Sequence, residues 1–344
     1  MTDTETPLTP AAPAASQSGL PSAPTPAARV RRRLAWLLVQ AAERRPRAGL
    51  RVAGHSLMLY LATRLTGLVL AVVWIVLREL APTLVAPDPV VPDAPSTVWW
   101  LIGSVLRCGS VGATVWLACR FFDRRSFSSL GLALDRRVFG ELGTGLILAG
   151  AMQATMFVLA GAQGWLRISS TELKGGDALG GIGAHIAWMT LVFLCVAWHE
   201  ELLARGYWLV NLQEGLGRLP ALVLSSLAFA LAHMGNPNAN ASILPGLVGA
   251  GALFAWAALR SGRLWLPIGM HLGWNLFEGP IFGFPVSGLR FASWAATEVA
   301  GPPLWTGGAF GPEAGLLLVP ALGVGVMGVW LATRSALARA TSAV

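Results

Sequence analysis

The sequence predicts an all-α integral membrane protein, a polytopic bundle of about eight transmembrane helices enclosing a polar intramembrane cavity. Three observations lead there. Of the 344 residues, 54% are hydrophobic and only 12% are charged, whereas soluble domains carry roughly 25% charged residues. Mean hydropathy is +0.60, so the solvent for most side chains is the bilayer. Fifteen tryptophans stand against two tyrosines, which suits anchoring at membrane interfaces.

Residues 1–50 form the first segment. Up to about residue 28 they are mostly Pro, Ala, Thr and Ser, too poor in bulky apolar side chains to fold, and are expected to be disordered. No apolar stretch follows a short basic start, so the segment is not read as a signal peptide. From Arg29 to Arg51 arginines crowd together. This stretch is expected to be a cytoplasmic juxtamembrane arm drawn to anionic lipid.

Spans are predicted near 57–77, 98–121, 139–161, 183–205, 219–236, 244–260, 265–282 and 314–333, from runs close to the roughly 20 apolar residues that cross a bilayer. With the amino terminus inside, cytoplasmic connections hold Arg120, Arg124, Arg125, Arg136, Arg137, Arg218, Arg260, Arg263, Arg334 and Arg339. The opposite connections hold only Arg78, Arg167, Lys174 and Arg290. That is the positive-inside bias, and it places both termini in the cytoplasm. The net charge of +8 therefore reads as membrane-facing, with no nucleic-acid partner expected. Arginine in place of lysine, with abundant Ala, Gly and Pro, points to a bacterial cytoplasmic membrane. The three cysteines, Cys108, Cys119 and Cys195, lie in apolar runs without paired spacing; they are read as small hydrophobes, with no disulfide framework and no zinc motif.

Ionisable side chains at membrane depth are costly and mark functional sites by default. Three stretches concentrate them. In "HEELLARGYW", Glu201 and Arg205 are four apart on one helical face and can pair. Glu200 points about 100° away and is left available as a general base. The structural alternative is an ion-pair cluster at a helix end. In "FALAH", Phe229 and His233 share a face; a lone histidine there can equally be a satisfied structural residue. In "HLGWN", His271 and Asn275 project together and could donate two hydrogen bonds to one oxyanion, or could join helices as polar glue. His199 adjoins the glutamates but is left outside the catalytic set.

These three motifs, EExxxR, FxxxH and HxxxN in that order and each on its own predicted helix, resemble the CAAX-protease and bacteriocin-processing family of intramembrane endopeptidases, the type II CAAX prenyl endopeptidases and their bacterial relatives. The resemblance spans about 120–285 and takes in "SSLGL" at 128–132. It implies the following organisation: 51–122 two amino-terminal transmembrane helices, 123–285 a catalytic core, 286–344 a loop, the last transmembrane helix and a cytoplasmic tail. It implies that Glu200 and His233 activate water, that His271 and Asn275 stabilise the oxyanion, and that Glu201, Arg205 and Phe229 support them. The expected activity is endopeptidase cleavage of a membrane-associated substrate, carboxyl-terminal and CAAX-like or of bacteriocin type. No cofactor is expected; zinc held by Glu200, His233 and His271 is the alternative, although no HExxH spacing pairs two histidines on one helix. Pro220 suits a first helical turn, so the helix bearing His233 is expected to begin in the cytoplasm and the cavity to open to that side. Two further readings stay open: a catalytically silent scaffold or self-immunity protein recruited through the basic arm, and a transporter whose polar residues line a path. The absence of two matching halves weighs against the transporter.

Overall fold

The computed structural model describes residues 39–40, 45–85, 96–169 and 178–341. Most of the expected disordered arm, 1–50, lies outside the described residues. The helices belong to a compact unit that runs from Arg45 onward. Its helices are α1 (Ala48–Leu80), α2 (Thr97–Ala118), α3 (Arg137–Ala162), α4 (Ala178–Glu201), α5 (Leu209–Leu216), α6 (Arg218–Ala232), α7 (Leu244–Ser261), α8 (Trp265–Leu276) and α9 (Leu318–Thr341). A two-stranded antiparallel ribbon pairs β1 (Leu166–Ser169) with β2 (Ala296–Val299), Leu166 opposite Val299. This is an all-α polytopic membrane protein.

Among the described residues, six helices are long and apolar enough to cross a membrane: Ala48–Leu80, Val98–Asp123, Arg137–Ala162, Gly183–Leu216, Arg218–Gly235 and Ala241–Ser261. The expected eight reduce to six by this measure because of the last two. The segment predicted over 265–282 holds only 12 α-helical residues before a π turn at Phe277–Ile281. Counted through the π turn the helix runs from Trp265 to Ile281, about 25 Å at 1.5 Å per residue, just under the length of the shortest of those six. The segment over 314–333 starts its helix at Leu318, four residues later than expected, and the side chains described run only to Arg334. The helix predicted over 183–205 is longer than expected: α4 passes through a π turn, Leu202–Trp208, straight into α5.

Lipid-facing and core faces separate as membrane packing requires. α1 exposes Leu57, Leu61, Leu65, Leu68 and Ile75, a stripe that would be intolerable in water. The core lies among α3, α7, α8 and α9, where Met152, Met156, Phe254 and Trp274 are buried together. Hydrophobic transfer gives little attraction between helices already in lipid, so close approach at small residues does the joining. A Cβ on Gly145 would strike the Leu266 carbonyl oxygen of α8, and one on Gly269 would strike that of Leu142 in α3. Gly269→Val is expected to cost about 1–3 kcal/mol by overpacking, read as a lower melting temperature of the detergent-purified protein.

Arg51 departs from the expected lipid-facing arm. It is buried, donating to Asp123 Oδ1 at 2.5 Å and to Glu214 Oε2 at 2.7 Å, while Arg125 also pairs with Glu214. The cluster ties α1 to the end of α2 and to α5. A bilayer-edge arginine this far from water needs partners, and its partners are 72 and 163 residues away in sequence.

Candidate active site

α4 delivers Glu200 and Glu201 to the middle of the long Gly183–Leu216 helix. The two carboxylates part company there. Glu201 is fully buried, and its Oε1 accepts from Arg205 Nη1 at 2.6 Å and from His271 Nδ1 at 2.8 Å. Arg205, within the π turn, also donates to the Gly251 carbonyl at 3.1 Å. Its guanidinium carbon lies 4.3 Å from the Phe229 ring centre and 5.4 Å from that of Phe254. Thus Glu201 and Arg205 form a closed buried unit that reaches α7 and α8. π turns inside α-helices recur at functional sites; this one carries Arg205 and lets the helix continue beyond the pair.

Glu200 turns the other way, and its side chain is 25% exposed. Its Oε2 lies 3.8 Å from His233 Nε2 and 3.8 Å from His271 Nε2. His233 sits just past the end of α6, with Nδ1 2.8 Å from the Phe229 carbonyl oxygen. A carbonyl only accepts, so His233 Nδ1 carries the proton. A carboxylate only accepts, so His271 Nδ1 carries one too. Each imidazole therefore turns Nε2 toward Glu200, in an orientation set by the acceptor of its Nδ1–H, the Phe229 carbonyl or the Glu201 carboxylate.

Glu200, His233, His271 and Asn275 line one cavity of about 140 Å³. The structure brings together all four residues expected to be catalytic. Phe229 is more than packing: its ring stands 4.6 Å from the His233 ring, and its carbonyl fixes that ring's tautomer. His199 does not join them; its Nδ1 lies 2.8 Å from the Cys195 carbonyl and 3.9 Å from Cys108 Sγ. Three contributions were not evident in the sequence. The Glu201–His271 bond joins residues 70 apart. Phe254 is one aromatic in an apolar helix, without a distinguishing pattern. Ser287, Leu289 and Phe291 bring a cavity wall from the long segment after α8, for which segment length was the one available clue.

Tetrahedral zinc with ligands at 2.0–2.1 Å needs donors about 3.3 Å apart; both pairs here stand at 3.8 Å. Among the described residues, no group of three or more His, Cys, Asp or Glu side chains is placed to hold a metal ion.

Fold and cavity define a class: a polytopic α-helical membrane protein with a glutamate and two histidines meeting inside the helix bundle. Residues 181–277 match the family model described as type II CAAX prenyl endopeptidase Rce1-like, so this part of the chain is similar to the family that the three motifs resemble. The match takes in all three motifs and leaves out "SSLGL" at 128–132. No curated protein and no solved structure matches the chain.

Proposed function

We propose that the protein is an intramembrane endopeptidase of a bacterial cytoplasmic membrane that hydrolyses a peptide bond of a membrane-associated polypeptide, with no metal taking part. The observation that carries this reading is the placement of Glu200 Oε2 at 3.8 Å from two imidazole Nε2 atoms, with Glu201 closed off behind them. A water hydrogen-bonded to Glu200 and His233 loses a proton to the carboxylate as its oxygen attacks the carbonyl carbon. The oxyanion that forms accepts hydrogen bonds from His271 Nε2–H and Asn275 Nδ2–H. Because His271 Nδ1 already donates to Glu201, a donating Nε2 means the imidazolium form, whose charge Glu201 offsets. The C–N bond then breaks, and the proton held by Glu200 passes to the leaving amine. The products are a carboxylate and an amine.

The test is co-expression of wild type or E200Q with a host membrane proteome, followed by mass spectrometry of peptide termini. Termini present only with wild type support the reading; identical termini overturn it. Asn275→Ala is expected to lower turnover about 10²–10³-fold, the usual loss for one oxyanion donor. Melting temperature should change little, since Asn275 faces the cavity. A loss of folded protein in place of a loss of turnover would assign Asn275 to interhelical packing.

A further inference from the structure

The two ends of the helix bundle differ in charge. One end collects the end of α2 and the start of α3, the junction of α5 and α6, the junction of α7 and α8, and Arg334 of α9. By sequence that end carries Arg120, Arg124, Arg125, Arg136, Arg137, Arg218, Arg260 and Arg263 as well. The other end has Arg78 in the last turn of α1 and, in its connections, only Arg167, Lys174 and Arg290. Short connections with excess arginine stay in the cytoplasm.

The cavity belongs to the arginine-poor end. Its walls include Trp100 in the first turn of α2, Asn236 just after α6, and Ser287, Leu289 and Phe291 after α8. All of these lie where helices meet that end. Phe193 of α4 packs edge-on against Phe291 at 5.2 Å, which sets the level of the wall. Glu200 follows Phe193 by seven residues, about 10 Å deeper at 1.5 Å per residue. Toward the arginine-rich end the same helix runs sixteen residues further to Leu216, about 24 Å, past the buried Glu201–Arg205 pair and buried Leu202, Tyr207 and Leu209. A separate cleft at the arginine-rich end reaches Arg205 but shares no wall residue with the cavity. The wall from the segment after α8 is fixed in place: Ser287 Oγ donates to Glu313 Oε1 at 2.6 Å, and Trp274 Nε1 of α8 donates to Glu313 Oε2 at 3.2 Å.

We infer that the cavity opens on the non-cytoplasmic face of the membrane, and that its substrate is a polypeptide segment presented from that face, as in an exported or membrane-anchored chain. The substrate half rests on the endopeptidase reading above; the orientation half does not. The expected cytoplasmic opening is thereby reversed. It rested on Pro220 at the start of the His233 helix and on ending the Glu200 helix at residue 205; continuation through the π turn to Leu216 moves Glu200 away from the arginine-rich end.

The test uses the full chain with C108A, C119A and C195A, carrying one added cysteine: R290C at the arginine-poor end, N236C in the cavity wall, or S128C at the arginine-rich end. The probe is a small membrane-impermeant methanethiosulfonate cation, applied to spheroplasts before and after lysis, with total thiol read after denaturation. R290C and N236C should react fully before lysis and S128C only after it. Reaction of S128C but not R290C in intact spheroplasts would overturn the orientation. Reaction of N236C only after lysis, with R290C already labelled, would overturn the opening. If N236C does not accumulate, an epitope tag after Val344 serves in its place: the inference requires it to resist external protease until lysis, and digestion before lysis overturns it. Labelling reads no turnover, so its failure is distinct from failure of the E200Q comparison, which alone decides the endopeptidase reading.

Discussion

Glu200→Gln is expected to remove turnover, by about 10²–10⁴-fold or more, the range supplied by a positioned general base. The amide keeps the shape and hydrogen-bonding reach of the carboxylate but cannot take a proton from water. The variant should insert and fold as well as the wild type, because Glu200 makes no hydrogen bond shorter than its 3.8 Å contacts with the two imidazoles among the described partners and is one-quarter exposed. Melting temperature should be unchanged or raised, since a carboxylate in a site of low dielectric is traded for a neutral group. The measurement is twofold: the rate at which new membrane-peptide termini appear, and thermal unfolding of the purified protein. Wild-type turnover by E200Q would sink the mechanism. A protein that fails to accumulate would instead class Glu200 with the structural pair.

The difference between adjacent glutamates was legible in the sequence, because a 100° step between neighbours is a property of any α-helix. The pairing of Glu201 with Arg205 followed from their spacing, and the structure places them at 2.6 Å. Six of the spans were legible for the same kind of reason: a bilayer demands long apolar runs, and composition reveals them. What could not be read was anything fixed by contacts distant in sequence. Arg51 looked like one more arginine in a basic arm until Asp123 and Glu214 closed around it. His271 looked like an oxyanion donor, but nothing local indicated that Glu201 holds its other nitrogen. The continuation of α4 into α5 was hidden for a different reason. Arg205 reads as a span terminus to any hydropathy argument, and only burial against Glu201, Gly251 and two aromatic rings keeps it inside. Moving that end from 205 to Leu216 shifts the depth of the site along the helix by about three turns, the shift on which the inferred side of opening rests.

The Glu201–Arg205 pair gives the second large effect and separates positioning from packing. Arg205→Leu alone leaves the fully buried Glu201 carboxylate with only His271 as a partner, and breaking a buried pair in this way costs about 3–5 kcal/mol. It also removes the cation held over Phe229 and Phe254. The protein is expected to be poorly accumulated and to melt well below the wild type. Replacing both members, Glu201→Met with Arg205→Leu, removes the uncompensated charge and restores apolar volume, and such exchanges are often neutral or stabilising. The double variant should therefore recover most of the lost stability. It should not recover turnover, because His271 Nδ1 then has no carboxylate to donate to, and the imidazolium needed at the oxyanion loses the charge behind it. Restored folding with restored turnover would show that Glu201 acts only as ballast for Arg205 and would remove it from the chemistry. Restored folding with turnover still lost would identify Glu201 as the positioning residue for His271.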